Sequence, residues 1–122
     1  YVQYANARIN SIFKHAQEQG IACEVFSSDD LRPLTIGEEL RLMKKLLMYP
    51  AMFAGAVTYH EPHRITFYLQ ELSGIFHSYY NKYRIVNDDI ALTKARLALC
   101  EAVRVVIRDG LEILGISIPE KM

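Results

Sequence analysis

The run IALTKARLALCEAVRVVIRDGLEIL, residues 90–114, has no proline and places an apolar side chain at nearly every third or fourth position. A strand cannot use that spacing, because its side chains alternate with a period of two. The run predicts one long helix, begun by the cap residues Asn87-Asp88-Asp89 and stopped by Gly115. Gly110 lies inside it, a residue that a helix interior disfavours.

The rest of the chain repeats the helical period. Val2, Ala5, Ile9, Ile12 and Ala16 mark an amphipathic helix over 1–19, with Gly20 as its stop. Residues 21–34 hold Ser27, Ser28, Asp29, Asp30 and Pro33, and predict a loop. Thr35-Ile-Gly-Glu38 has the spacing of a capping box, in which hydroxyl and carboxylate satisfy each other's amides. It predicts a second helix with Ile36, Leu40, Met43 and Leu47 as its buried stripe, ending near Tyr49-Pro50. A short third helix is expected over 51–59. Pro62 suits the first turn of a fourth, reaching about Arg84, with Ile65, Leu69, Leu72, Phe76, Tyr79 and Tyr83 on one face. No internal repeat, low-complexity tract or strand pair is visible. The expected fold is all-α, a single bundle of five helices over 1–122.

Fourteen basic residues balance fourteen acidic ones, which argues against a protein that holds nucleic acid mainly by bulk positive field. Local recognition by stacking and a few placed arginines stays open. There is no apolar run long enough to span a membrane and no visible signal peptide. The chain begins with Tyr1 already in helical pattern, and is expected to be a piece of a longer protein. Cys23 and Cys100 stand far apart without a CxxC, and are expected as free thiols of a cytoplasmic protein.

HEPH at 60–63 resembles a metal motif but fails on geometry. Its histidines are three apart, not four, and Pro62 between them marks a helix start. His15 and His77 lie on separate predicted helices without matching ligands in sequence. Asp29-Asp30, Glu38-Glu39 and Asp88-Asp89 fall at a loop, a first helical turn and a cap, where structure accounts for them. There is no phosphate loop, nucleophile elbow or thiol with an obvious base, so no reaction, metal or cofactor is expected of these residues alone.

Tyr1, Tyr4 and Arg8 share one strip of the first helix, continued by His15 and bordering the apolar stripe. Two readings are open. The rings can pack at the core edge with their hydroxyls in water. Alternatively they form a platform for unpaired bases, with the guanidinium on a phosphate or base edge.

Four stretches together resemble the C-terminal anticodon-binding domain, of the DALR type, of arginyl-tRNA synthetase, a class I enzyme. They are YVQYANARINSI, EPHRITFYLQELSGIFHSYYNKYRIV, ALTKARLALCEAVRVVIRDGLEILGI and the terminal PEKM. The resemblance covers nearly the whole chain; the first and last motifs are the specific ones. It implies the five-helix anticodon-binding bundle of that class, and recognition of the anticodon stem-loop of an arginine-accepting tRNA. It also implies an N-terminal catalytic domain in cis, which joins arginine to the tRNA with ATP and magnesium. No membrane or DNA partner is implied. Carried over by position, Tyr1, Tyr4 and Arg8 match the aromatic and basic places of the first motif. Tyr68 matches the aromatic of the PHRxxxYL pattern, and Met122 the terminal methionine. Gln3 and Asn6 are secondary RNA-binding candidates; Asn6 stands where the family usually has His. Tyr83 stands where many members have Cys. The competing class is a helical protein-interaction module with a Tyr-rich binding face, since aromatics and arginine also dominate protein interfaces.

Overall fold

The computed structural model describes residues 2–21 and 28–115. Its helices are α1 (Val2–Glu18), α2 (Gly37–Leu47), α3 (Tyr49–Thr58), α4 (His63–Lys82) and α5 (Ile90–Leu114), with a short 3-10 turn at Ser28–Leu31. Among the described residues there is no strand. Met48 closes α2 and opens α3 with helical dihedrals, φ −80° and ψ −12°. The two are therefore segments of one broken rod, interrupted where Pro50 has no amide to offer. By continuous rods, the described residues hold four.

The helix ends follow local chemistry. After α1, Gly20 takes φ 77°, its amide reaching the Gln17 carbonyl and that of Ile21 the Ala16 carbonyl. This is the Schellman arrangement, which needs a left-handed residue at that place. Gly115 ends α5 in the same conformation. At the start of α5 the Asp89 carboxylate accepts from the Leu92 amide at 3.1 Å, and the Asn87 side chain accepts from the Asp89 amide.

Two expectations for α2 need correction. The helix starts one residue later than the Thr35 box implies. Ile36 is the N-cap, and Glu39, not Glu38, accepts from its amide at 3.2 Å. The expected buried stripe is also out of phase: Leu40 is 51% and Leu47 81% exposed, whereas Glu39 and Leu42 are buried. The cause is polar. Glu39 accepts from the Tyr79 hydroxyl at 2.6 Å and from Arg96 Nε at 2.8 Å. A carboxylate so partnered can be taken inside, and it sets the rotation of α2. Pro62, too, is the residue before α4 and not within its first turn.

The core is organised around α4, which packs against each of the other four helices. It contributes Ile65, Leu69, Leu72, Phe76 and Tyr79, facing Ala5, Ile9 and Ile12 of α1 and Leu97, Val103 and Ile107 of α5 within one cluster. Gly110 has a specific reason to be there. A Cβ built on it would lie 2.7 Å from Leu69 Cδ1, so the glycine permits the approach of α5 to α4. Cys100 is a free thiol in this core, and burial pushes its pKa up to about 12. Cys23 lies outside the described residues.

Candidate nucleic-acid interface

The strip on α1 meets the C-terminal half of α4. Arg8 is half-buried there. Its Nη2 donates to the Tyr4 hydroxyl at 2.8 Å, and its Nη1 lies 3.2 Å from Nδ1 of His77. Its guanidinium carbon sits 4.7 Å from the Tyr4 ring centre and 4.3 Å from that of Tyr80. Tyr4 is 43% exposed, so its ring remains open to a ligand. The result is an aromatic–guanidinium–aromatic cluster whose cation is anchored to both helices.

The cluster stands at one end of a surface groove. An open depression of about 530 Å³ is lined by Tyr4, Arg8, Ser11, Lys14, His15 and Tyr80, among others. It shares Ser11, His15 and Tyr80 with a second, of about 500 Å³, which continues along Lys82, Tyr83 and Arg84. Lys14, Lys82 and Arg84 bring positive charge along this track, tempered by Glu18 on one wall. The far rim is braced from behind. Tyr83 donates to Glu38 at 2.9 Å, Lys82 lies 3.6 Å from the same carboxylate, and Arg96 Nη1 donates to the Arg84 carbonyl at 2.8 Å. The Tyr83 hydroxyl, first among the causes, holds the Glu38 carboxyl below its usual range. An exposed ring, a planar cation and a basic track are the equipment for stacking an unpaired base and pairing with phosphate.

The sequence-derived candidates divide sharply. Tyr4 and Arg8 come together, and His15 joins them along the groove. Gln3 faces elsewhere, in a depression with Thr66, Gln70 and Leu114. Asn6 is 0% exposed, on the side of α1 turned to the core, so it presents nothing to RNA. Tyr68 is corrected as well. It is 4% exposed, and its hydroxyl donates to the Lys45 carbonyl at 2.6 Å. Its ring packs 5.3 Å from that of Tyr49, and burial pushes its pKa up to about 12. Tyr68 therefore ties α4 to the α2–α3 rod and offers no open face for a base. Tyr1 and Met122 lie outside the described residues. At the HEPH segment, Glu61 accepts from Arg64 at 2.8 Å and lies 3.5 Å from His63 Nε2. Among the described residues no group of three or more His, Cys, Asp or Glu could hold a metal ion.

Sequence reasoning passed over Tyr80, His77, Lys82 and Arg84 as site residues. The signal was partial: His77 and Tyr80 are three apart, on one strip of a helix, whereas Lys82 ends α4 and Arg84 lies beyond it. On α4 the groove-lining Tyr80 is masked by the stronger apolar stripe beside it.

Comparison with known families settles what kind of domain carries this groove. Residues 2–122 match the DALR anticodon binding domain. The chain belongs to that family. Over its whole length the DALR domain is 48% identical to the arginine–tRNA ligase of Syntrophotalea carbinolica and 50% identical to that of Citrifermentans bemidjiense. It spans 22% of the length of each of those proteins. Its fold is similar to that of the Thermus thermophilus arginyl-tRNA synthetase, with a TM-score of 0.84 and 29% identity, covering all of this chain and 21% of that one. A putative arginyl-tRNA synthetase from Campylobacter jejuni shares the fold at a TM-score of 0.80 and 24% identity, over all of this chain and 26% of that one.

Proposed function

We propose that this DALR domain grips the anticodon loop of an arginine-accepting tRNA, as the anticodon-binding part of an arginine–tRNA ligase. The observation that carries the reading is the cluster of Tyr4, Arg8 and Tyr80 at the mouth of a basic groove, in a chain of this family. RNA sequence is read mainly where bases leave the stack, and a loop supplies such bases. Tyr4 gives an open ring for one base. Arg8, held between two rings, presents the rest of its fork to a phosphate or base edge. Lys14, Lys82 and Arg84 then track the backbone of the stem. One stack, one guanidinium pairing and the basic track anchor a loop without a strongly basic protein, which agrees with the balanced charge.

On this reading residues 1–122 act as one domain, a five-segment bundle that performs no chemistry itself. The catalytic body of the ligase joins arginine to the tRNA with ATP and magnesium, and this domain positions the tRNA for it in the cytoplasm. Among the described residues no helix is long and apolar enough to cross a membrane. The test is binding of the chain to anticodon stem-loops that share a stem and differ in loop sequence. Affinity that follows the loop sequence is expected. Equal affinity for all loops would refute recognition of the anticodon and favour a face for a protein partner.

A further inference from the structure

We propose that His77 is a positioning residue for RNA binding, its Nδ1 fixing the Arg8 guanidinium between Tyr4 and Tyr80. The proposal rests on the reading of the groove as a site for unpaired nucleotides, and adds a residue that touches no RNA. The polarity of the contact follows from elementary chemistry. A guanidinium has five N–H donors and no acceptor. With Arg8 Nη1 and His77 Nδ1 at 3.2 Å, Nδ1 accepts, so the ring is neutral and carries its proton on Nε2.

The surroundings fix the ring in turn. His77 is 7% exposed, with its centre 5.5 Å from the Tyr4 ring and 5.8 Å from the Phe76 ring. It cannot follow Arg8 outward, so the arginine is held to it. An arginine on a helix surface otherwise samples many rotamers. Here the Tyr4 hydroxyl and His77 engage two of its five N–H groups, and the Tyr80 ring supports the plane from α4. The remaining N–H groups are thereby aimed before any ligand arrives. Ordering a rotamer-rich side chain in advance removes a cost that binding would otherwise carry, roughly two- to twelvefold in affinity. His77 thus converts the docking of α1 on α4 into the aim of one cation.

Two substitutions and one spectrum test this. His77→Asn keeps an acceptor, because Oδ1 stands two bonds from Cβ as Nδ1 does. His77→Leu removes the acceptor and keeps bulk. Both are compared with the unaltered chain for binding to one anticodon stem-loop, well below the melting temperature of each. His77→Leu is expected to weaken binding by roughly two- to twelvefold, and His77→Asn to restore most of it. Equal loss in both, or loss in neither, would overturn the proposal. Two-bond proton–nitrogen correlation spectra of the RNA-free chain should show His77 as the Nε2–H tautomer, and an Nδ1–H tautomer would overturn it. If the unaltered chain binds no stem-loop, the reading of the groove fails. The tautomer still decides whether His77 holds Arg8.

Discussion

Replacing Arg96 with methionine should cost this fold about 3–5 kcal/mol, because it strands a buried carboxylate. Glu39 is 0% exposed, and among the described residues its only cationic contact is Arg96 Nε at 2.8 Å. Without it, the carboxylate keeps the Tyr79 hydroxyl at 2.6 Å and the Ile36 amide at 3.2 Å, two neutral donors against a full charge. The same change removes the bond from Arg96 Nη1 to the Arg84 carbonyl, worth about 1 kcal/mol and part of the total. Set against a typical stability of about 5–15 kcal/mol, such a loss moves the urea midpoint far outside error. The assay is urea unfolding followed by far-ultraviolet circular dichroism. A second variant isolates the cause. Removing the whole network, as Glu39→Met with Tyr79→Phe and Arg96→Met, leaves no charge to strand and should return to within about 2 kcal/mol of the unaltered chain. A loss below about 1 kcal/mol for Arg96→Met, the size of a surface ion pair, would refute the reasoning. So would a triple variant no more stable than the single one.

Gly110→Ala sets two effects against each other. Helix propensity favours alanine by about 1 kcal/mol, whereas a Cβ at 2.7 Å from a buried Leu69 methyl costs about 1–3 kcal/mol. A net loss of up to about 2 kcal/mol is expected in urea unfolding, and a gain would mean that the α4–α5 contact has slack. Alkali tests the buried phenols. Burial raises the pKa of both Tyr68 and Tyr79, and Tyr79 is raised further by its bond to Glu39. Their folded pKa values lie above the unfolded value of about 10. Their contribution is therefore complete below that pH and is lost as pH rises through it towards the folded values. Stability should fall by up to about 1.4 kcal/mol per pH unit for each group above about pH 10. A flat urea midpoint across that range would contradict their burial.

Much of the fold was legible because helices announce themselves by period and by caps. The α1 stripe of Ala5, Ile9, Ile12 and Ala16 is buried as its spacing requires, and Gly20 and Gly115 stop their helices as left-handed residues do. α2 was misread because periodicity counts apolar letters, and one of its two fully buried residues is a carboxylate. Only the distant Arg96 and Tyr79, 57 and 40 positions away, make that burial possible. Tyr68 failed for a related reason. Its place in a family motif does not reveal that Lys45 and Tyr49 enclose its ring. The site was half visible. Tyr4 and Arg8 declare themselves by helical spacing, but Tyr80 and His77 belong to it only because α4 docks beside α1.

The most direct measurement is the affinity of Tyr4→Ala for an anticodon stem-loop, taken with its unfolding free energy. If an open ring at the groove mouth stacks on an unpaired base, affinity falls by about 1–3 kcal/mol, while stability falls by only about 1 kcal/mol, the worth of the bond that the Tyr4 hydroxyl accepts from Arg8. Unchanged affinity with a clear loss of stability would mean that Tyr4 only seals the edge of the core, and that the groove does not hold RNA in this way.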